Sequence, residues 1–216
     1  MKKLTTQWLM LCTLLFTLTS CSAAEQPKTA RDKPSMEKGD SLQNKKVLIV
    51  YLSRTKNTKA VAEIIHKKVG GDLVALEVAT PYPENYQQIV AQVEKENETG
   101  FLPPLKTAID SIKKYDVIFI GFPTWGMQLP PPVKSFLKQY DLSGKTIVPF
   151  NTHAGYGVGS SFETIKELCP GSKVLEGFST KGGVERDGIL FVMEGEKGKQ
   201  VQLEVQSWLK KTGLIN

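Results

Sequence analysis

Six consecutive polar residues between an apolar run and a helical pattern are the first candidates for chemistry. They are Ser53, Arg54, Thr55, Lys56, Asn57 and Thr58, which carry three hydroxyls, one amide and two cations. A helix begins with unpaired backbone N–H groups at the positive end of its dipole, and neutral side-chain donors add to them. Such a set of donors binds a phosphate group. One side chain, from Asn57 or Thr58, would suffice to cap the helix, so the surplus favours a ligand.

This segment matches none of three well-known phosphate-binding patterns. It contains no G-x-x-x-x-G-K-[ST], and no G-x-G-x-x-G follows the apolar run. It also lacks the cysteine that a low-molecular-weight phosphatase loop requires. The residues therefore indicate a phosphate site of another kind.

A tryptophan in a turn marks the second candidate segment. Pro123, Thr124, Trp125 and Gly126 follow the apolar run at 116–122. A large indole is unusual in a turn unless its face covers something. The indole could cover a flat ligand, or it could pack on its own loop or on a neighbouring chain.

A glycine-rich segment supplies the third candidate. It follows the apolar run at 145–151 and includes Asn151, Thr152, His153, Gly155, Tyr156 and Gly157, with a further glycine at 159. Glycines allow a backbone to approach a ligand closely. The stretch GYGVG is only weakly similar to a dinucleotide loop, because its last glycine comes one residue early. His153 could donate to a ligand or be solvated, and Tyr156 could stack on a ligand or point to solvent.

Apolar runs alternate with helical patterns about five times after residue 46. The expected strands cover 47–52, 73–79, 116–122, 145–151 and 173–179, and the helical patterns lie at 61–69, 85–98, 131–140, 160–168 and 201–209, the fourth opening with a serine cap. Continuously apolar strands that alternate with helices predict an α/β fold. We expect a doubly wound, five-stranded parallel sheet with helices on both faces. The run ILFVM at 189–193 could be an extra strand or a buried loop.

The three candidate segments follow strands one, three and four, so they should meet at one edge of the sheet. Ligands of doubly wound sheets bind beyond the carboxyl ends of the strands. A phosphate cradle, an aromatic platform and a glycine-rich backbone together suit flavin mononucleotide (FMN). The first segment would bind its phosphate, Trp125 would stack on its ring, and the third segment would donate N–H groups to the polar rim of the ring.

Over residues 46–212 the sequence resembles the flavodoxin family. Flavodoxins usually carry [ST]-x-T-G-N-T in the first loop, where this chain reads SRTKNT. The PTWG and NTHAGYG stretches resemble the two loops that flank the flavin. The resemblance implies noncovalently bound FMN and electron transfer with redox partner proteins.

Two features depart from the family pattern. Lys56 replaces the usual glycine, which costs on the order of 1 kcal/mol if that position needs a positive φ. The chain has a net charge of +6, or about +4 once Lys2 and Lys3 are removed, whereas flavodoxins are commonly acidic. Basic charge near the ring would favour the anionic reduced flavin and raise its potential.

Three functions fit this pattern of residues. The first is an electron carrier that holds FMN and acts through partner proteins. The second is an NAD(P)H-dependent reductase of quinones or flavins, whose pocket the segments 80–106 and 181–195 could shape. The third is a binding module of the same fold without a cofactor. We expect the carrier, with the reductase as the alternative, and neither a metal nor a nucleic-acid partner.

The N-terminal residues indicate export. Residues 1–20 have a basic start and a short apolar stretch that is not long enough to span a bilayer comfortably, which is typical of a signal peptide. The stretch LTSC at 18–21 resembles a bacterial lipobox, which implies cleavage before Cys21 and acylation of that residue. The alternative is an ordinary signal cut after an alanine at 23 or 24. We expect an exported cell-envelope lipoprotein held on a membrane by its N-terminal lipid.

Residues 21–45 form the expected tether, and residues 46–216 form the folded domain. The tether contains no aromatic or β-branched aliphatic residue and is rich in Pro, Lys, Ser and Glu. After removal of Cys12 and acylation of Cys21, only Cys169 remains, so no disulfide can form within the mature chain. We expect Cys169 to be a buried structural residue.

Overall fold

A parallel sheet forms the centre of the computed structural model, which describes residues 42–216. The predicted signal peptide, Cys21 and the tether up to residue 41 lie outside the described residues. The strands are β1 (Val47–Tyr51), β2 (Asp72–Ala75), β3 (Val117–Pro123), β4 (Thr146–His153), β5 (Lys173–Val174) and β6 (Phe178–Lys181). Their order is β2-β1-β3-β4-β5, with β6 also paired to β4, and each of these pairings is parallel.

Five α-helices lie within the described residues, close to the predicted positions. They are α1 (Asn57–Val69), α2 (Tyr86–Thr99), α3 (Pro131–Gln139), α4 (Ser161–Leu168) and α5 (Gly195–Lys211). Alternate residues of β1 belong to two core clusters. Val47 and Ile49 pack with residues of α1 and α5, whereas Leu48 and Val50 pack with residues of α3 and α4. Because successive side chains point to opposite faces, the sheet is covered on both, and the predicted doubly wound fold is confirmed.

The predicted fifth strand is divided into β5 and β6. Ile147 of β4 pairs with Val174, and Phe150 of β4 pairs with Phe178. Three steps along β4 therefore correspond to four steps along its neighbour, so one extra residue is inserted there. Such an insertion is a β-bulge, a common feature of sheet edges.

The second strand is shorter than predicted. Its pairing with β1 ends at Ala75, and Val78 instead forms an antiparallel bridge with Leu105. The Glu77 carbonyl accepts the N–H of Lys106 at 2.8 Å. The chain thus leaves the parallel sheet before residue 79 and continues toward α2.

Residues 182–194 form a loop that includes a short 3₁₀ helix, Glu185–Asp187, so the ILFVM run is neither an extra strand nor a fully buried segment. Ile189, Leu190 and Phe191 are exposed, and Met193 is buried. Val184 makes an isolated antiparallel bridge with Ile189. The run therefore adds nothing to the sheet.

Cys169 is buried at the end of α4, as predicted. Burial raises the pKa of its thiol to about 11, so the reactive thiolate is scarce near neutral pH. In the part of the chain that the structure describes, no helix is long and apolar enough to cross a membrane. Among the same residues, no group of three or more His, Cys, Asp or Glu could hold a metal ion.

The starts of α1 and α4 differ from the expected caps. The Ser160 side chain makes no capping hydrogen bond to α4. At α1 the cap position is held by Lys56, rather than by Asn57 or Thr58, and its φ is 65°. A residue with a Cβ in this left-handed region costs on the order of 1 kcal/mol. The position therefore needs the positive φ that glycine supplies most easily.

Replacing Lys56 with glycine should raise the free energy of unfolding by about 1 kcal/mol, because glycine adopts this φ without a steric penalty. Urea denaturation of the protein without ligand measures the change. The matched control is Lys59→Gly, which puts glycine inside α1 and should lower stability by about 1 kcal/mol. A Lys56→Gly variant no more stable than its parent would show that the position holds no strain.

Candidate cofactor site

A cavity of about 600 Å³ lies at the carboxyl ends of β1, β3 and β4. All three predicted segments contribute to its wall. The predicted residues that line it are Arg54, Thr55, Asn57, Thr58, Pro123, Thr124, Trp125, Gly126, Thr152, His153 and Tyr156. The predicted residues outside the lining, although in the same loops, are Ser53, Lys56, Asn151, Gly155 and Gly157. The sheet therefore brings the three segments together at one edge.

Backbone N–H groups of the first loop are available to a ligand. Within residues 42–216, no acceptor is bonded to the N–H groups of Thr55, Lys56, Asn57 or Thr58. A left-handed residue beside helical ones turns successive N–H groups toward a common point, which makes a concave anion site. The positive end of the α1 dipole adds to this attraction. The donors present thus fit a phosphate group.

The side chains of Asn57 and Thr58 act within the protein, since these residues are only 3% and 1% exposed. Asn57 Nδ2 donates to the Leu190 carbonyl at 2.6 Å, and its Oδ1 accepts the N–H of Val192 at 3.1 Å. The hydroxyls of Thr58 and Thr152 are hydrogen-bonded at 2.8 Å. These contacts join the first loop to the loop at 182–194 and to the end of β4.

Arg54 connects the first loop with two further segments of the cavity wall. Its Nε donates to Glu185 Oε1 at 2.7 Å. One terminal nitrogen donates to the Pro83 carbonyl at 2.8 Å, and the other donates to the Glu84 carbonyl. The side chains of Arg54 and Glu185 are 20% and 21% exposed, so solvent screens this ion pair less than a surface pair. Only a planar guanidinium offers donors in these three directions at once.

Trp125 is held in place by a second aromatic ring. Tyr82 meets the indole nearly edge-on, with centroids 5.2 Å apart and planes at 76°. Tyr82 Oη donates to Glu96 Oε2 at 2.6 Å, and Gln92 donates to the other carboxylate oxygen at 2.8 Å. Burial, and then the Glu96 carboxylate, raise the pKa of Tyr82 well above its usual value. The phenol therefore remains a donor, and this chain of contacts fixes the orientation of the indole.

The second and third loops are bonded directly to each other. Thr124 Oγ1 donates to the Gly157 carbonyl at 2.9 Å and accepts from the buried Asn151 side chain at 3.0 Å. Gly159 lies so close to the Met127 backbone that a Cβ there would collide with the Met127 carbonyl. At Gly159 the predicted close approach of backbone therefore occurs between two loops.

His153 lines the cavity with its ring in the neutral form. Its Nδ1 accepts the N–H of Gly155 at 3.0 Å. Burial, and then the nearby charges of Lys181 and Lys197, lower the pKa of His153. A neutral ring whose Nδ1 accepts carries its proton on Nε2, so it can donate to a ligand. Tyr156 is 67% exposed, which leaves its ring room to cover a ligand.

Two walls of the cavity contain residues that the sequence analysis did not single out. The α2 wall consists of Tyr86, Ile89, Val90, Val93, Glu94, Asn97 and Glu98, and a second wall consists of residues 182–186. Val90 is 45% exposed despite its apolar side chain. The sequence feature that indicates these walls is the length of the segments 80–106 and 181–195, which are longer than most connections between helices and strands.

The comparisons with known proteins agree with this geometry. The flavodoxin family model matches residues 46–194, which is more than half of the chain, and the chain belongs to the flavodoxin family. The first loop, the PTWG stretch and the NTHAGYG stretch all lie inside the matched range. No curated protein matches the chain significantly.

Three solved structures illustrate the similarity. A candidate flavoprotein from Bacteroides eggerthii is 28% identical with a TM-score of 0.63, and the match covers 79% of this chain and 99% of that one. A candidate flavoprotein from Bacteroides uniformis is 22% identical with a TM-score of 0.62, over 75% and 98% of the two chains. A flavoprotein from Lactobacillus acidophilus, solved in complex with FMN, is 23% identical with a TM-score of 0.57, over 67% and 98%. The last two show the shared fold.

The contacts of Arg54 give a measurable prediction for stability. A double-mutant cycle of Arg54→Ala and Glu185→Ala, followed by urea denaturation, should give a coupling energy of about 1–2 kcal/mol. The control cycle uses Arg186 and Asp187, an ion pair whose side chains are 59% and 49% exposed. Its coupling should stay below about 0.5 kcal/mol. Equal coupling in the two cycles would rule out a special role for Arg54.

Proposed function

We propose that the protein binds FMN noncovalently in this cavity and transfers electrons through the bound flavin. The observation that carries the proposal is the convergence of three features on one cavity: the N–H groups at 55–58, which have no acceptor among the described residues, an oriented indole and a polar third loop. The volume of about 600 Å³ lies within the roughly 300–1,000 Å³ of small-ligand sites. Membership of the flavodoxin family and the FMN complex of the Lactobacillus acidophilus relative support the proposal.

In this proposal, each of the three loops binds a different part of FMN. The N–H groups of residues 55–58 bind the phosphate, and the exposed Lys56 adds positive charge. Trp125 stacks on the ring, while Tyr82 keeps the indole from turning away. His153 Nε2–H and the third-loop backbone donate to the polar rim. Bound FMN supplies one- or two-electron chemistry, and the protein supplies orientation and charge.

Two lysines set the sign of the electrostatic field beside the third loop. Lys181 lies near Gly155, and Lys181 and Lys197 both act on His153. Positive charge at this place stabilises electrons added to a nearby ring. We therefore expect a higher reduction potential than in flavodoxins with an acidic surface around the ring.

Titration with FMN tests the proposal. The domain comprising residues 42–216 is suitable, because the Bacteroides eggerthii chain, matched over 99% of its length, is a folded protein of this extent. The domain should quench FMN fluorescence saturably and bind riboflavin, which lacks the phosphate, much more weakly. Thr55 Oγ1 accepts from Asn57 at 2.8 Å, which leaves its hydroxyl hydrogen for the phosphate.

Thr55→Ala should therefore weaken FMN binding about tenfold, because a hydrogen bond to a charged group contributes about 1.5–3 kcal/mol. Riboflavin binding should change little. Thr212→Ala, which removes a hydroxyl beyond the end of α5, is the matched control and should leave both affinities unchanged. Equal affinity of the parent for FMN and riboflavin would refute the phosphate cradle.

The apolar α2 wall favours a second candidate function, an NAD(P)H-dependent reductase of quinones or flavins. Ile89, Val90 and Val93 line the cavity, and an electron carrier that acts only through partner proteins needs no such surface. The FMN-loaded domain with NADH or NADPH and a benzoquinone distinguishes the two functions. Steady turnover without another protein would establish the reductase. Flavin reduction only after addition of a redox partner protein would establish the carrier.

The two candidate functions imply different partners. The electron carrier would exchange electrons with redox partner proteins, whereas the reductase would use NAD(P)H and a quinone.

We also propose a location for the protein. An acyl group on Cys21 would hold the domain at a membrane of the cell envelope, and the lipobox-like stretch at 18–21 supports this placement.

A further inference from the structure

Four lysines surround a cleft at the end of the sheet opposite the cofactor cavity. Lys45, Lys113, Lys145 and Lys173 line this cleft, whose volume is about 360 Å³. The first three precede β1, β3 and β4, and Lys173 is the first residue of β5. A parallel sheet places the starts of all its strands at one edge, so the four ammonium groups are brought together there. We call these four residues the basic edge.

The positive charge of the basic edge is not balanced by ion pairs. Within residues 42–216, none of its four lysines forms an ion pair with a carboxylate. Lys145 is only 9% exposed, and its Nζ donates to the carbonyls of Lys113 at 3.3 Å and Tyr115 at 2.6 Å. Carbonyls orient the ammonium group without neutralising it.

Among the described residues, two carboxylates that form no ion pair lie close to the basic edge. Asp116 lines the cleft and accepts the N–H of Lys46 at 2.8 Å. Asp141 accepts the N–H of Ser143 at 3.0 Å. The Ser143 hydroxyl and N–H, and then the charges of Lys113 and Lys145, lower the pKa of Asp141. A third carboxylate, Asp72 at the start of β2, forms an ion pair with Lys114 at 3.5 Å, so it does not offset the basic edge. Two carboxylates against four ammonium groups leave the edge net positive.

Helix ends at the same edge add further basic residues, which have a separate explanation. Lys67 and Lys68 lie in the last turn of α1, Lys138 in that of α3 and Lys210 in that of α5. Cations at helix C-termini complement the helix dipole. Of the basic edge, Lys113 lies in a short 3₁₀ helix, Ile112–Lys114. Lys45, Lys145 and Lys173 lie in no helix, so a helix dipole does not explain them.

The chain that precedes the domain joins it at this edge. Leu42 packs against the core cluster of α1 and α5, and Lys45 follows three residues later. The segment from Cys21 to Leu42 spans at most about 70 Å when fully extended. A lipid on Cys21 would therefore keep the domain within reach of the membrane, and surface charge would decide which side of the domain faces it.

We propose that the basic edge is a membrane-contact surface that binds the headgroups of anionic phospholipids. The charge is complementary to such a surface, and the preceding chain leads to the same edge of the domain. Contact at this edge turns the cofactor cavity, at the other end of the strands, toward solvent. The proposal does not depend on FMN binding.

Vesicle co-sedimentation of the unacylated domain, residues 42–216, tests the proposal. The vesicles consist of phosphatidylcholine alone, or of equal parts of phosphatidylcholine and phosphatidylglycerol. The domain should bind the anionic vesicles and not the neutral ones, and binding should fall as salt is raised. Equal binding to both vesicle types, or binding to a DNA duplex with no binding to anionic vesicles, would overturn the proposal.

Charge reversal locates the contact on the protein. The triple variant Lys45→Glu, Lys113→Glu, Lys173→Glu changes exposed residues and spares the buried Lys145. Each lysine near an anionic surface contributes about fivefold to partitioning, so the variant should bind at least about a hundredfold more weakly. The control variant Lys59→Glu, Lys95→Glu, Lys199→Glu has the same net charge but leaves the basic edge intact, and it should lose far less. An equal loss in both variants would show that net charge alone attracts the domain.

Discussion

The candidate site depends on one side chain whose charge is used for structure. The Arg54 guanidinium bonds Glu185 on one wall of the cavity and the Pro83 and Glu84 carbonyls at the approach to α2. Asn57 also bonds the loop that contains Glu185, through Leu190 and Val192. Among the described side chains of the first loop, however, Arg54 alone bonds both that loop and the approach to α2, so it connects the first loop with two walls of the cavity.

In the first loop, side chains make contacts within the protein, and backbone N–H groups are left for a ligand. The family motif places Asn57 and Thr58 beside the expected phosphate, yet their side chains bond Leu190, Val192 and Thr152. The donors left over for a ligand are mainly backbone N–H groups, whose direction is set by the left-handed Lys56. The motif residues therefore build the concave backbone, and the backbone is what fits an anion.

Much of the fold follows from apolar periodicity, and the convergence of the three loops follows from the topology. The five helices and the core strands could be predicted because a strand buried on both faces, such as β1, is apolar at every position. The cap at Lys56 could not, since Asn57 and Thr58 are better capping residues and only the loop geometry decides between them. The α2 wall could not be assigned residue by residue either. Val90 faces the cavity because tertiary contacts hold α2, among them the 2.9 Å bond from Lys134 Nζ to Asn97 Oδ1, and such contacts leave no periodic trace in the sequence.

The bulge between β5 and β6 lets the edge of the sheet carry one extra residue while each end of the stretch keeps its place in the core. Side chains of a strand alternate between faces, so one inserted residue reverses the alternation beyond it. Val174 packs in the cluster of α3 and α4, whereas Phe178, four residues later, packs in the opposite cluster, 5.4 Å from the Trp208 ring. Deleting one residue of 175–177 would leave three steps between Val174 and Phe178, the same number as between Ile147 and Phe150, so Phe178 would still face Trp208. Homologous chains can therefore lack the extra residue without a second change nearby, because regular alternation alone then gives the same two cores.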